Sequence, residues 1–144
     1  MEEPDTIQID TENQKSILIN TAEFAIDEDN VDGELCQSGA KLCFYGNLAA
    51  DLEAEAATKK ADLEYTYSLL AIQIRKDYTG TTRLTEGGLK EQITIDGRYI
   101  NKKNELIETE KNYAKANNFW RAQQKRADCI IALAYKQRTE IAKY

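Results

Sequence analysis

From Arg98 to Tyr144 the chain contains neither glycine nor proline. Apolar residues recur through this stretch at alternating spacings of three and four, the repeat of one face of an α-helix. The stripe runs Tyr99, Leu106, Tyr113, Trp120, Ala127, Ile131, Ala134 and Ile141, with polar Lys103, Glu110, Asn117, Gln124 and Arg138 on the same seam. One long helix that packs on other helices is the expectation. The rest of the chain must supply what covers it.

Composition agrees with a helical class. At 144 residues the chain is one domain's length, with 42% apolar residues but only 7 glycines and 1 proline. That is enough apolar surface for a core and too few turn formers for a many-stranded sandwich or barrel. No apolar run reaches the ~18 residues that span a bilayer, and the acidic start lacks the basic and apolar regions of a secretory signal. A soluble, cytoplasmic protein with no membrane contact is expected.

A second long helix is predicted from about Gly33 or Leu35 to Asp77. Its apolar positions Leu42, Tyr45, Ala49, Leu52, Ala56, Leu63, Leu70 and Ile74 keep near-heptad spacing. Gly39 and Gly46 weaken its first turns by about 1 kcal/mol each relative to alanine, so any fraying or break is expected there. Tyr78-Thr79-Gly80-Thr81-Thr82 reads as a turn, and Thr85 as the cap of a short helix through Leu89 and Ile93. Asp96 is placed to cap the last helix. The layout is an antiparallel hairpin of two long helices with a short connecting helix. Residues 1–32 precede it as an acidic leader, and residues 33–144 form the helical body. Thr6–Asp10, Ile17–Ile19 and Phe24–Ile26 in the leader are short apolar patches for which a strand, a docking segment and partial disorder all stay open. Leu106, Tyr113, Trp120, Ile131 and Ile141 exceed what one opposing helix covers, so a helical homo-oligomer is expected.

Chemistry has few footholds. The chain has no histidine, and no nucleophile-elbow, phosphate-loop or dinucleotide pattern occurs, so a non-enzymatic role is expected. Cys36, Cys43 and Cys129 have no chelating spacing and read as small buried apolar residues, so neither metal nor cofactor is expected. The acidic run from Asp27 to Glu34 lacks the regular ligand spacing of a calcium loop. Asp51, Glu53 and Glu55 read as a solvated helix face.

Charge is distributed unevenly. Residues 1–40 carry eleven acids and one base, whereas residues 81–144 carry eight acids and thirteen bases. Lys111, Lys115, Arg121, Lys125, Arg126, Lys136, Arg138 and Lys143 make the last helix basic. Such a helix either solvates an outer face or binds a polyanion while the leader blocks non-specific contacts or recruits a basic partner.

From Phe24-Ala25-Ile26-Asp27, through Tyr45 and Leu48, to Ile74-Arg75-Lys76-Asp77-Tyr78-Thr79-Gly80 and the helix from Tyr113 to Ile141, the chain resembles the UvsY-type recombination mediators of tailed phages. The resemblance covers roughly residues 24–142. Arg75, Asp77, Tyr78 and Gly80 match the family's basic residue, Asp-Tyr pair and glycine turn, although the family's second tyrosine is missing here. Ala132-Leu133-Ala134-Tyr135-Lys136-Gln137-Arg138 is similar to its terminal helix, and the acidic leader departs from its pattern. The resemblance implies a ring-like homo-oligomer in a phage-infected or prophage-bearing host. It would bind single-stranded DNA and help a RecA-like recombinase replace the single-strand-binding protein. Arg75, Lys76, Arg83, Lys102 and Lys103, brought to one end of an antiparallel hairpin, are the expected phosphate contacts, and Tyr78 the expected base-stacking aromatic. The alternative is a phage structural or adaptor protein acting only through oligomeric contacts.

Overall fold

The computed structural model describes residues 6–11 and 16–143. Strand β1 (Thr6–Asp10) and strand β2 (Ser16–Asn20) form an antiparallel hairpin in which Ile7 faces Ile19, Gln8 faces Leu18 and Ile9 faces Ile17. Two short 3₁₀ turns, Thr21–Phe24 and Glu28–Asn30, lead into helix α1 (Val31–Asp77), and helices α2 (Glu86–Thr94) and α3 (Gly97–Ile141) follow. Both long helices and the short connecting helix expected from the sequence are present. The leader's apolar patches become the hairpin and the first turn, while residues 1–5 and 12–15 of the leader lie outside the described residues. None of the described helices is long and apolar enough to cross a membrane.

Local signals set the helix ends. Asn20 accepts a hydrogen bond from the Ala22 amide at 2.8 Å and Asp27 one from the Asp29 amide at 3.1 Å, so each 3₁₀ turn has its own side-chain cap. Thr85 Oγ1 accepts from the Gly88 amide at 3.1 Å, and Asp96 Oδ1 from the Arg98 amide at 2.9 Å. These are the two caps expected from the sequence. Asp27 and Glu34, part of the run that resembled a calcium loop, are occupied in capping and in an ion pair, and no metal-binding group of acids or cysteines exists among the described residues.

The chain divides into two compact units, Met1–Leu52 with Asn112–Tyr144, and Glu53–Lys111. In the first, the hairpin buries Ile9 and Ile19 against Tyr45, Leu48, Ala49 and Leu52 of α1 and Ala116 of α3, with Tyr113 and Phe119 packed alongside. Phe24 stacks on Phe119 at 5.6 Å between ring centroids, fixing the first turn to the same core. A separate cluster of Val31, Ile130 and Ala134 holds the start of α1 against the last turns of α3. In the second unit, Leu89 and Ile93 of α2 pack on Leu70 and Ala71 of α1, with Tyr67, Ile74, Leu84 and Tyr99 around them.

Two expectations are corrected here. The most deeply buried row of α3 is Thr109, Ala116, Gln123 and Ile130, every seventh residue. This row lies three positions after Leu106, Tyr113, Trp120 and Ala127, whereas the polar row on the expected seam lay four positions after them. Thr109 satisfies its own hydroxyl by donating to the Glu105 carbonyl at 3.0 Å, and Ala116 permits close approach, so both fit a seam that a hydropathy scan does not see. Gln123, 1% exposed, leaves its Nε2 without an acceptor among the described residues. The second correction concerns Cys36, Cys43 and Cys129, which are exposed rather than buried. Helix α1 runs unbroken through Gly39 and Gly46. At Gly46 a Cβ would lie 3.3 Å from Nε1 of Trp120, so the glycine makes room for the indole.

Trp120 remains 36% exposed. Because only part of its surface leaves water, Trp120→Ala is expected to cost about 1–2 kcal/mol, below the ~3–5 kcal/mol of a fully buried tryptophan. Urea unfolding followed by circular dichroism measures this. A loss of 3 kcal/mol or more would mean that a second chain covers the indole.

Candidate nucleic-acid interface

The last turn of α1 ends in Arg75 and Lys76, whose charges complement the helix dipole, and Glu86 does the same in the first turn of α2. The connecting residues fold back so that Arg75, Tyr78, Gly80, Arg83 and Glu86, with Thr81, Thr82, Leu84 and Thr85, line a pocket of about 630 Å³. Tyr78 is half-exposed, and its ring lies where a Cβ on Gly80 would be, so the glycine sets the position of the ring. Arg75 Nη2 sits 3.0 Å from Glu86 Oε1, with both side chains largely in solvent. Arg83 lines the same pocket and has no ion pair among the described residues. The pocket therefore offers one free guanidinium, one guanidinium shared with a carboxylate, hydroxyls from the threonines and an aromatic face.

The other expected bases are distributed differently. Lys102 Nζ lies 3.1 Å from Glu105 Oε2 and lines a second pocket of about 410 Å³, with Thr66, Leu69, Leu70, Arg98 and Asn101. Lys59 reaches the same carboxylate at 3.6 Å. Glu105 is held below the usual carboxylate range, first by the Lys102 hydrogen bond and then by the two lysine charges. Lys76 and Lys103 are exposed and line neither pocket. Of the five expected phosphate contacts, the structure brings Arg75 and Arg83 together around Tyr78.

Sequence reading missed Arg98 at this end of the molecule. Its guanidinium donates to Asp96 Oδ2 at 3.0 Å and to Gln73 Oε1 at 3.1 Å. This pairing holds the Asp96 carboxyl below, and the Arg98 guanidinium above, its ordinary range. The signal available was an acid two residues ahead of a base at a helix start. Glu86, at the start of α2, is the direct partner of Arg75.

The expected oligomer contacts also divide. Leu106 and Tyr113 are half-buried, and Tyr113 packs on the hairpin core. Trp120 covers Gly46, while Ile131 and Ile141 stay exposed.

Part of the charge asymmetry is resolved within the chain. Arg126, almost fully buried, donates to Glu34 Oε2 and to the Ala25 carbonyl, and Arg138 lies 3.9 Å from Asp32. Lys115 donates to the Gln8 carbonyl at 3.2 Å. Asp32 and two backbone carbonyls of the leader, with Glu34 of α1, thus occupy part of the basic face of α3, and Arg121, Lys125, Lys136 and Lys143 are left exposed. The Tyr45 hydroxyl is pushed up to about 12 by burial and by the Glu23 carboxylate that it contacts at 3.1 Å. Its setting is the core of the hairpin unit, where it holds packing together.

No family model, no curated protein and no solved structure matches the chain.

Proposed function

We propose that the protein is a non-enzymatic, homo-oligomeric mediator that binds single-stranded DNA and helps a RecA-like recombinase take the place of a single-strand-binding protein. The observation that carries this reading is the pocket between α1 and α2, where Arg83 has no ion pair among the described residues and Tyr78 is half-exposed beside Arg75. Guanidinium groups suit phosphate oxygens because their planar fork matches two acceptors, and an adjacent aromatic face accepts any base by stacking. That combination favours a flexible single strand over a duplex, whose bases are already stacked. Arg75, Tyr78 and Gly80 of the resembling stretch line the same pocket. Repetition of the pocket around an oligomer would track a strand across successive subunits.

Fluorescence anisotropy of a labelled oligothymidylate at low and moderate salt tests the reading. Binding is expected to weaken steeply with salt as counterions are released. Replacing Arg75 and Arg83 together by glutamine is expected to weaken binding at least about tenfold and to flatten the salt slope, with helicity and mass unchanged. Unchanged affinity in the double variant would move the strand away from this pocket.

A second reading, a helical adaptor acting only through protein contacts, is favoured by one feature. Tyr65, Leu69 and Ile72 form an exposed apolar row on one side of α1 in the second unit. Absence of any oligonucleotide binding at low salt would select it.

A further inference from the structure

We propose that the free edge of β2 is a self-association surface, on which two copies of the chain pair their β2 strands antiparallel about a two-fold axis at Leu18 and merge two hairpins into one four-stranded sheet. The proposal rests on the homo-oligomeric part of the reading above and uses none of its nucleic-acid part.

The two edges of the hairpin are treated differently. On β1, the outward carbonyls of Gln8 and Asp10 accept hydrogen bonds from Lys115 Nζ at 3.2 Å and Asn112 Nδ2 at 3.1 Å, so α3 closes that edge. In an antiparallel pair, residues alternate between turning both backbone groups toward the neighbouring strand and turning both away. Gln8 faces away from β2, and Leu18 is its cross-strand partner, so the Leu18 N–H and C=O face away from β1. Among the described residues these two groups have no partner.

Natural edge strands are normally blunted by charge, proline or a bulge. Ser16-Ile17-Leu18-Ile19-Asn20 carries no charge and no proline, its register is unbroken, and Leu18 is 65% exposed. Beside this edge lies a groove of about 400 Å³ between β2 and α1, lined by Ile17, Ile19, Phe44 and Tyr45, with Phe44 half in solvent. A strand added to β2 would cover it.

The occupant that fits is a second copy. The strand is near-palindromic about Leu18, so a two-fold there sets Ile17 against Ile19, Ser16 against Asn20 and Leu18 against itself. Every row then meets its own kind, and the Leu18 pair exchanges both backbone bonds. The groove also carries one charge of each sign, Glu23 and Lys41, so a second copy brings no net charge to it from these residues. A uniformly charged peptide would be repelled by one of them.

Light scattering of the full chain at micromolar concentration, beside Leu18→Pro and Leu18→Lys, tests this. The wild type is expected to have an even multiple of the chain mass. Both variants are expected to lower that mass at least twofold with helical circular dichroism unchanged. Proline removes only an outward N–H, and lysine sets two like charges face to face on an exposed site. If the proline variant does not fold, the lysine variant decides. A monomeric wild type would overturn self-assembly as a whole, leaving the edge to an extended segment of another protein. An oligomeric wild type whose mass survives in the folded variants would overturn the β2 edge alone.

Discussion

Replacing Arg126 by alanine is expected to destabilise the chain by about 3–5 kcal/mol, the usual result of removing one member of a buried ion pair. The Arg126 side chain is 3% exposed, and its guanidinium ties together three segments: α3 itself, the Ala25 carbonyl after the first turn, and Glu34 at the start of α1. Alanine leaves the mostly buried Glu34 carboxylate and the Ala25 carbonyl without their donor, and both must be desolvated without compensation. Replacing both partners by neutral groups of similar size, Glu34→Gln with Arg126→Met, is expected to recover more than half of the loss, because no uncompensated charge is then buried. Equilibrium urea unfolding of the wild type and the two variants measures this. Equal losses in the single and double variants would show that side-chain packing, not charge, holds the segment.

The same pair makes stability depend on pH with a defined sign. The Arg126 hydrogen bond holds the Glu34 carboxyl below its ordinary value of 4.5, so between the folded and unfolded values the unfolded chain binds more protons. Stability from the pair is present above the unfolded value and is lost as pH falls through the folded one. In the Arg126→Ala variant this part of the acid limb is expected to disappear, so the urea midpoint falls less between pH 7 and pH 3 than in the wild type.

The other large effect is expected at Ile93. Helix α2 is nine residues long and buries only Leu89 and Ile93, the latter fully, so nearly all of its attachment to Leu70 and Ala71 comes from two side chains. Ile93→Ala is expected to cost about 2–5 kcal/mol, and a helix this short is not stable in water once undocked. Amide exchange should therefore speed up across residues 84–95 before it changes elsewhere. The arginine pocket has Leu84, Thr85 and Glu86 in its wall, so oligonucleotide affinity is expected to fall with the docking of α2, although Ile93 is no part of the pocket. Full protection of α2 amides in the variant would show that the cap at Thr85 and the contacts of Leu84 suffice.

The two long helices, the short one between them and the caps at Thr85 and Asp96 were legible in the chain because each depends on residues within a few positions of one another. An uninterrupted three-four repeat, a glycine after a helix and a threonine or aspartate before one act through local backbone geometry and hydrogen bonding. The α1–α2 turn with Arg75, Tyr78 and Gly80 was legible for the same reason, and Arg83 joins them because it follows within that turn.

What remained hidden depends on partners distant in sequence. The inner seam of α3 passes through Thr109, Ala116 and Gln123, and no hydropathy scale marks a threonine, an alanine and a glutamine as interior. Their burial follows from small volume and from the surface they meet. Gly46 reads as a weakness until Trp120, seventy-four positions later, lies on it. The bases of α3 read as one face that is either solvated or polyanion-binding, yet Arg126 pairs with Glu34 at the start of α1 and Arg138 lies 3.9 Å from Asp32, each some hundred residues earlier. Composition determined that the protein is helical and that opposite charges sit at its two ends. Only the tertiary structure decided which of those charges meet each other and which stay free for a ligand, because pairing is set by distance in space.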